Sequence, residues 1–105
     1  MADMMKILQQ AQQMQDRLQQ MQDELEQKTV TATAGGGLVS VEADGKGQLR
    51  KIKIDRTVVD PADVEMLEDL VLVAVGEAQK KAAELAQQEM GKLTGGMDLP
   101  FKLPF

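Results

Sequence analysis

The residues in this sequence best suited to chemistry are cations on one short segment. Lys46, Arg50, Lys51, Lys53 and Arg56 stand against the single acid Asp55, a local charge of +4 over residues 46–56. Cations at that density suit contact with phosphate oxygens, which asks for charge at spaced points rather than for a pocket. Lys80, Lys81 and Lys92 lie further along and extend the candidate set. A second reading stands beside the first. Lysines on an outer strand also block unwanted strand pairing, and the sequence leaves both open. A run of acids without a base, Asp60, Asp63, Glu65, Glu68 and Asp69, follows at once. Carboxylates with no base, nucleophile or pocket do not make an active site. These read as acids placed at the positive end of a helix dipole.

The remaining inventory narrows function by exclusion. The 105 residues include no Cys, His, Trp or Tyr. That removes disulfides, thiolate zinc sites, cysteine nucleophiles and the commonest general base. We expect no enzyme, no metal, no cofactor and no small-molecule substrate. The two aromatics, Phe101 and Phe105, sit at the end of the chain, which disfavours a single-strand module that stacks bases on rings. The net charge is −5 and the pI about 4.6. A uniformly acidic surface would repel nucleic acid, so the distribution of charge matters more than its sum. No apolar run approaches the ~20 residues of a membrane span, and the opening MADMMKILQQ lacks the pattern of a signal peptide. The expectation is a soluble cytoplasmic protein with no membrane partner.

The elements that must position these residues follow from periodicity. Met4, Ile7, Ala11, Met14, Leu18, Met21 and Leu25 are spaced 3, 4, 3, 4, 3, 4. This is a heptad stripe on a helix from residue 3 to about 27. At ~1.5 Å per residue the helix is roughly 38 Å long, more than a small sheet needs as cover. The stripe is expected to pack on the second helix or on a second copy of the chain, and we take these seven residues as a homodimer interface. Residues 29–34, TVTATA, alternate as a strand with Val30, Ala32 and Ala34 inward. Gly35-Gly36-Gly37 makes a reversal rather than a phosphate loop, since no Lys-Ser/Thr and helix start follow it. Residues 38–43 form a second strand, Asp44-Gly45-Lys46-Gly47 a hairpin turn, and residues 48–54 a third strand. On that strand Ile52 and Ile54 share one face, and Lys51, Lys53 and Leu49 the other.

Asp60 then reads as an N-cap with Pro61 at the first helical position, opening a helix from 61 to about 93. Its apolar face is Val64, Leu67, Val71, Ala74, Ala78 and Leu85. Leu70, Leu72, Val73 and Val75 widen it, so residues 70–75 are expected to be buried nearly all round. Gly76 marks a bend or a close backbone approach. Ala78, Ala82 and Ala86 allow close helix packing. From residue 95 the sequence GGMDLPFKLPF suggests a tail without stable secondary structure, which leaves a single α+β domain over residues 1–94.

Helix, three-stranded antiparallel meander and helix, α-β-β-β-α, is an order that resembles the YbaB/EbfC family of bacterial nucleoid-associated proteins. Four stretches carry the likeness: MMKILQQAQQMQDRLQQMQDEL, AGGGLVSVEADGKGQLRKIKID, DPADVEMLEDLVLVAVGEAQKKAAE and KLTGGMDLPFKLPF. The matching positions are Gly36, Val39, Val41, Gly45, Ile52, Ile54, Asp55, Leu67, Glu68, Asp69 and Leu70. The resemblance implies a tweezer-like homodimer with projecting helices that binds double-stranded DNA in the nucleoid. It also implies roles in chromosome organisation and gene expression. No family motif fixes a DNA contact, so the cations named above rest on charge alone. Without an arginine-rich recognition helix, we expect backbone contact and modest sequence preference. The alternative is a structural or protein-interaction adaptor with no direct DNA binding.

Overall fold

The computed structural model describes residues 2–94. The element order is α1 (Ala2–Gln27), β1 (Thr29–Ala34), β2 (Val39–Asp44), β3 (Leu49–Ile54), a 3-10 turn (Arg56–Val58) and α2 (Val64–Thr94). The expected tail, residues 95–105, lies outside the described residues. The strands form one antiparallel meander in the order β1-β2-β3.

Small residues decide how the sheet is covered. Ala32 and Ala34 of β1 and Ala43 of β2 face a helix that itself offers Ala74 and Ala78, and all five are buried. With so little side chain between them, helix and sheet come close. Val39 and Val41, fully buried, fill the centre, and Val58 closes the end. This core lies under β1 and β2. β3 is exposed along its whole length. A second, smaller core joins the two helices: Met21 and Leu25 of α1 bury against Met90, with Leu18, Leu85, Ala86 and Leu93 around them. Residues 3–17 of α1 are exposed throughout, so the front of this helix stands clear of the body.

The β2–β3 turn is built on Asp44, whose side chain is fully buried. Its Oδ1 accepts the N–H groups of Lys46 (2.9 Å) and Gln48 (3.0 Å). Its Oδ2 accepts from Arg50 Nε (3.1 Å) and Nη2 (2.8 Å). Burial alone would push this carboxyl up. The Gln48 and Lys46 N–H groups and the Arg50 guanidinium outweigh it and hold the group below its ordinary value. Arg50 reaches back because it is the extra residue of a β-bulge: Glu42 pairs with Lys51, but Ala43 pairs with Leu49. The bulge corrects one expectation, since it pairs Leu49 with the core residue Ala43 and takes it out of register with Lys51 and Lys53. Next to Asp44, the Gly45 N–H donates to the carbonyls of Leu25 (2.8 Å) and Lys28 (3.0 Å) at the end of α1. A Cβ at Gly45 would lie 2.7 Å from the Leu25 oxygen, so only glycine allows this approach.

Two further expectations are corrected. Asp60 closes a separate turn, accepting from the Ala62 N–H, and α2 starts at Val64 with Asp63 accepting from the Met66 N–H. Asp60 and Asp63 carry the same capping chemistry three residues apart, and the later one takes the helix. The segment 70–75 is not buried all round: Leu72 is 72 % and Val73 55 % exposed. Gly76 sits inside an unbroken α2, and a Cβ there would meet nothing within 4 Å.

Asp44→Asn is expected to cost about 2–3 kcal/mol in urea unfolding at pH 7, through loss of a buried charge-assisted network. The folded pKa of Asp44 is below its ordinary 3.8. Its contribution is therefore complete above that value and disappears as pH falls through the lower folded pKa. The gap between parent and variant should hold from pH 7 to pH 5 and close only in strong acid. Gly45→Ala should lower the Tm by separating the hairpin from the end of α1.

Candidate nucleic-acid interface

The sheet separates the charges. On β3, Lys51 lies opposite Glu42 and Lys53 opposite Ser40, while Ile52 and Ile54 lie opposite the buried Val41 and Val39. The lysines therefore share the face turned away from α2. Register extends that face to Thr31, opposite Glu42, and Thr33, opposite Ser40. The result is an open surface of hydroxyls and lysines with one acid, Glu42. The acidic run from Asp60 to Asp69 belongs to the turn and the first part of α2, on the other side.

The structure divides the eight candidate cations into two groups. Arg50 is held by Asp44. Lys46 Nζ lies 2.8 Å from Glu26 Oε1, and that carboxylate raises the lysine's pKa. Lys81 Nζ donates to the Thr31 carbonyl (2.9 Å) on β1, an edge strand. Lys92 lies 3.6 Å from Glu89, a buried carboxylate that Lys28 also grips. The Lys28 hydrogen bond is the main reason the Glu89 pKa is lowered. Lys51, Lys53, Arg56 and Lys80 are exposed and have no ion-pair partner among the described residues. The charge count of residues 46–56 thus overstates the cations available to a ligand. The signal for Arg50 and Lys46 was present in the sequence as Asp44 and Glu26, but only the fold brings those acids within reach.

The heptad stripe is divided as well. Leu18, Met21 and Leu25 pack within the chain, and Met4, Ile7, Ala11 and Met14 are exposed. A second apolar surface was missed by the sequence reading. Ile54, Leu67, Glu68, Val71, Leu72 and Val75 line a cleft of about 470 Å³ between β3 and α2. Ile52, 46 % exposed, continues it along the strand. The signal for it was the all-round apolar character of residues 70–75, which requires contacts on two sides of the helix. The described residues supply only one of them. Among the described residues, no group of three His, Cys, Asp or Glu could hold a metal ion.

The family model of the YbaB/EbfC DNA-binding family matches residues 1–97. The chain belongs to this family. A nucleoid-associated protein of Gemmatimonas aurantiaca is 60 % identical over 98 % of this chain and 99 % of its own. One from Thermodesulfovibrio yellowstonii is 60 % identical over 94 % of this chain and 83 % of its own. A third, from Paramagnetospirillum magneticum, is 50 % identical over the whole of both chains. In structure, the chain resembles an uncharacterised protein from Helicobacter pylori. The TM-score is 0.76 at 22 % identity, covering 85 % of this chain and 94 % of that one. The α-β-β-β-α fold is thus shared at a distance where little sequence is. The family is a DNA-binding one and not an enzyme family.

Arg50→Ala should lower stability by at least about 2 kcal/mol, because it leaves a buried carboxylate without its cation. Lys51→Ala and Lys53→Ala should each stay within about 0.5 kcal/mol of the parent. Chemical denaturation of the three variants distinguishes a cation used by the fold from cations left for a ligand.

Proposed function

We propose that this YbaB/EbfC protein acts as a homodimer on double-stranded DNA and contacts phosphates through the outer face of its sheet. The observation that carries the reading is β3, an exposed edge strand with isoleucines on one face and lysines on the other. An edge strand offers unpaired N–H and C=O groups to another strand. Two-fold symmetry lets β3 meet its own copy, as an isologous interface requires. The apolar side of that contact is Ile52, Ile54, Leu72 and Val73, and exposed Gly76, one turn beyond Leu72, lets another helix come near. The same pairing sets Lys51 and Lys53 of both copies side by side on one surface, away from the acids of α2.

Such a surface touches the DNA backbone. Lysine is a point charge on a flexible stem, suited to phosphate rather than to base edges. The expected behaviour is modest sequence preference and strong salt dependence. Family membership and the names of the relatives support action in the nucleoid, and we extend this reading to effects on nucleoid organisation and gene expression. Arg56 and Lys80, both exposed, complete the proposed set.

Binding of duplex DNA, followed by fluorescence anisotropy against salt, tests the phosphate contacts. Each lost contact removes about 0.9 from the log–log slope. Lys51→Ala/Lys53→Ala, doubled by the dimer, should flatten the slope by about 3 to 4. An unchanged slope sinks the sheet-face model. No binding by the parent near physiological salt leaves the adaptor reading in its place. Sedimentation tests the dimer separately: Ile54→Lys/Leu72→Lys should run as a monomer, and a parent that is monomeric at micromolar concentration defeats the interface.

A further inference from the structure

We propose that residues 97–105 dock on the exposed apolar stripe of α1 in their own chain. The stripe does not end where its packing ends. Leu18, Met21 and Leu25 are covered by the end of α2, and the same register continues outward through Met14, Ala11, Ile7 and Met4 with none of the described residues over it. Met5 and Leu8 flank it, each about two-thirds exposed. A row of large apolar side chains in continuity with a filled core is a surface that lacks its cover.

The chain supplies a cover of matching pattern. MDLPFKLPF places an apolar residue at every second position: Met97, Leu99, Phe101, Leu103 and Phe105. That is the alternation of an extended segment with one apolar edge. Pro100 and Pro104 stand between them, and each fixes its own φ, which lowers the entropy lost when an extended segment is held in place. Both aromatics of the protein are in this segment, and neither is in the described core.

Geometry directs the segment to α1. Lys92 and Leu93 lie beside Arg17, Gln20 and Met21, so α2 delivers the chain at the level where the stripe loses its cover. Gly95-Gly96 permits a turn there. Eleven residues in extended form reach roughly 34 Å, and Met14 to Met4 spans only about 15 Å of helix. Tethering makes the encounter intramolecular, at an effective concentration in the millimolar range. The β3–α2 cleft lies at the opposite end of α2, beside residues 67–75, and is a poorer target for a segment released at residue 94. The inference uses none of the groups assigned to DNA and stands or falls apart from that reading.

The protein has no tryptophan, so Phe101→Trp in the full chain is a clean reporter. Its emission should lie to the blue of the free peptide GGMDLPWKLPF. Ile7→Gln/Met14→Gln in that background should return it to the peptide value. Both positions are exposed, and glutamine is a good helix former, so the fold is retained. Removing residues 97–105 should raise amide hydrogen exchange across residues 4–14. Peptide-like emission in the parent overturns the proposal. So does a blue shift indifferent to the stripe substitutions, which would put the segment on another surface. A blue shift lost on hundredfold dilution assigns the stripe to a second copy, and unchanged exchange after truncation shows that the stripe was never covered.

Discussion

The fold depends on one buried carboxylate. Asp44 has no contact with water and satisfies both oxygens with groups no more than six residues away. Those bonds shape the hairpin, and the bulge at Arg50 delivers the cation that neutralises the charge. A buried carboxylate with one partner missing is costly, so turn, bulge and ion pair form together or not at all. The same turn brings Gly45 against the last carbonyls of α1. The angle at which the long helix leaves the body is therefore set by a loop between two strands. That loop and β3 carry a conspicuous basic cluster, yet Lys46 and Arg50 of it belong to the architecture.

Once the hairpin is fixed, strand alternation does the rest. Side chains at successive positions of β3 go to opposite faces, so the sequence Lys-Ile-Lys-Ile becomes a charged surface and an apolar one back to back. The net charge of −5 describes neither face. Acids gather around the start of α2, where the helix dipole favours them, and the sheet stands between them and the lysines. Long-range repulsion of a polyanion by the whole molecule is thereby offset at the surface that carries Lys51 and Lys53, within a Debye length of roughly 8 Å at physiological salt.

Local chemistry was readable from the sequence and tertiary pairing was not. The stripe from Met4 to Leu25, the alternation of TVTATA and the Asp-Gly turn each announce their element through neighbours a few residues apart, and each element is there. The start of α2 was misplaced because Asp60 and Asp63 are equally good caps by any local rule. The bulge at Arg50 could not be seen, because it shows only when Glu42 and Ala43 are set against their partners. Residues 70–75 are instructive for a different reason. Their composition called for burial on all sides, and the described residues provide it on one. Leu72 and Val73 are the part that the described residues leave exposed. Of the candidate cations, Lys46 is lost to Glu26 and Arg50 to Asp44, acids on other elements, which charge counting along the chain cannot pair.

Lys81 has a consequence for growth. A sheet with two open edges can add strands at both and has no natural end. Here the ammonium group of Lys81 sits on a backbone carbonyl of β1, and α2 packs on the inner face of that strand. The sheet is left with one reactive end, like a monomer that carries a single functional group. Such a unit can couple once and then has nothing further to offer, so the strand pairing proposed for β3 would be self-terminating. An unprotected edge at β3 can thus be kept without the risk of polymerising through it.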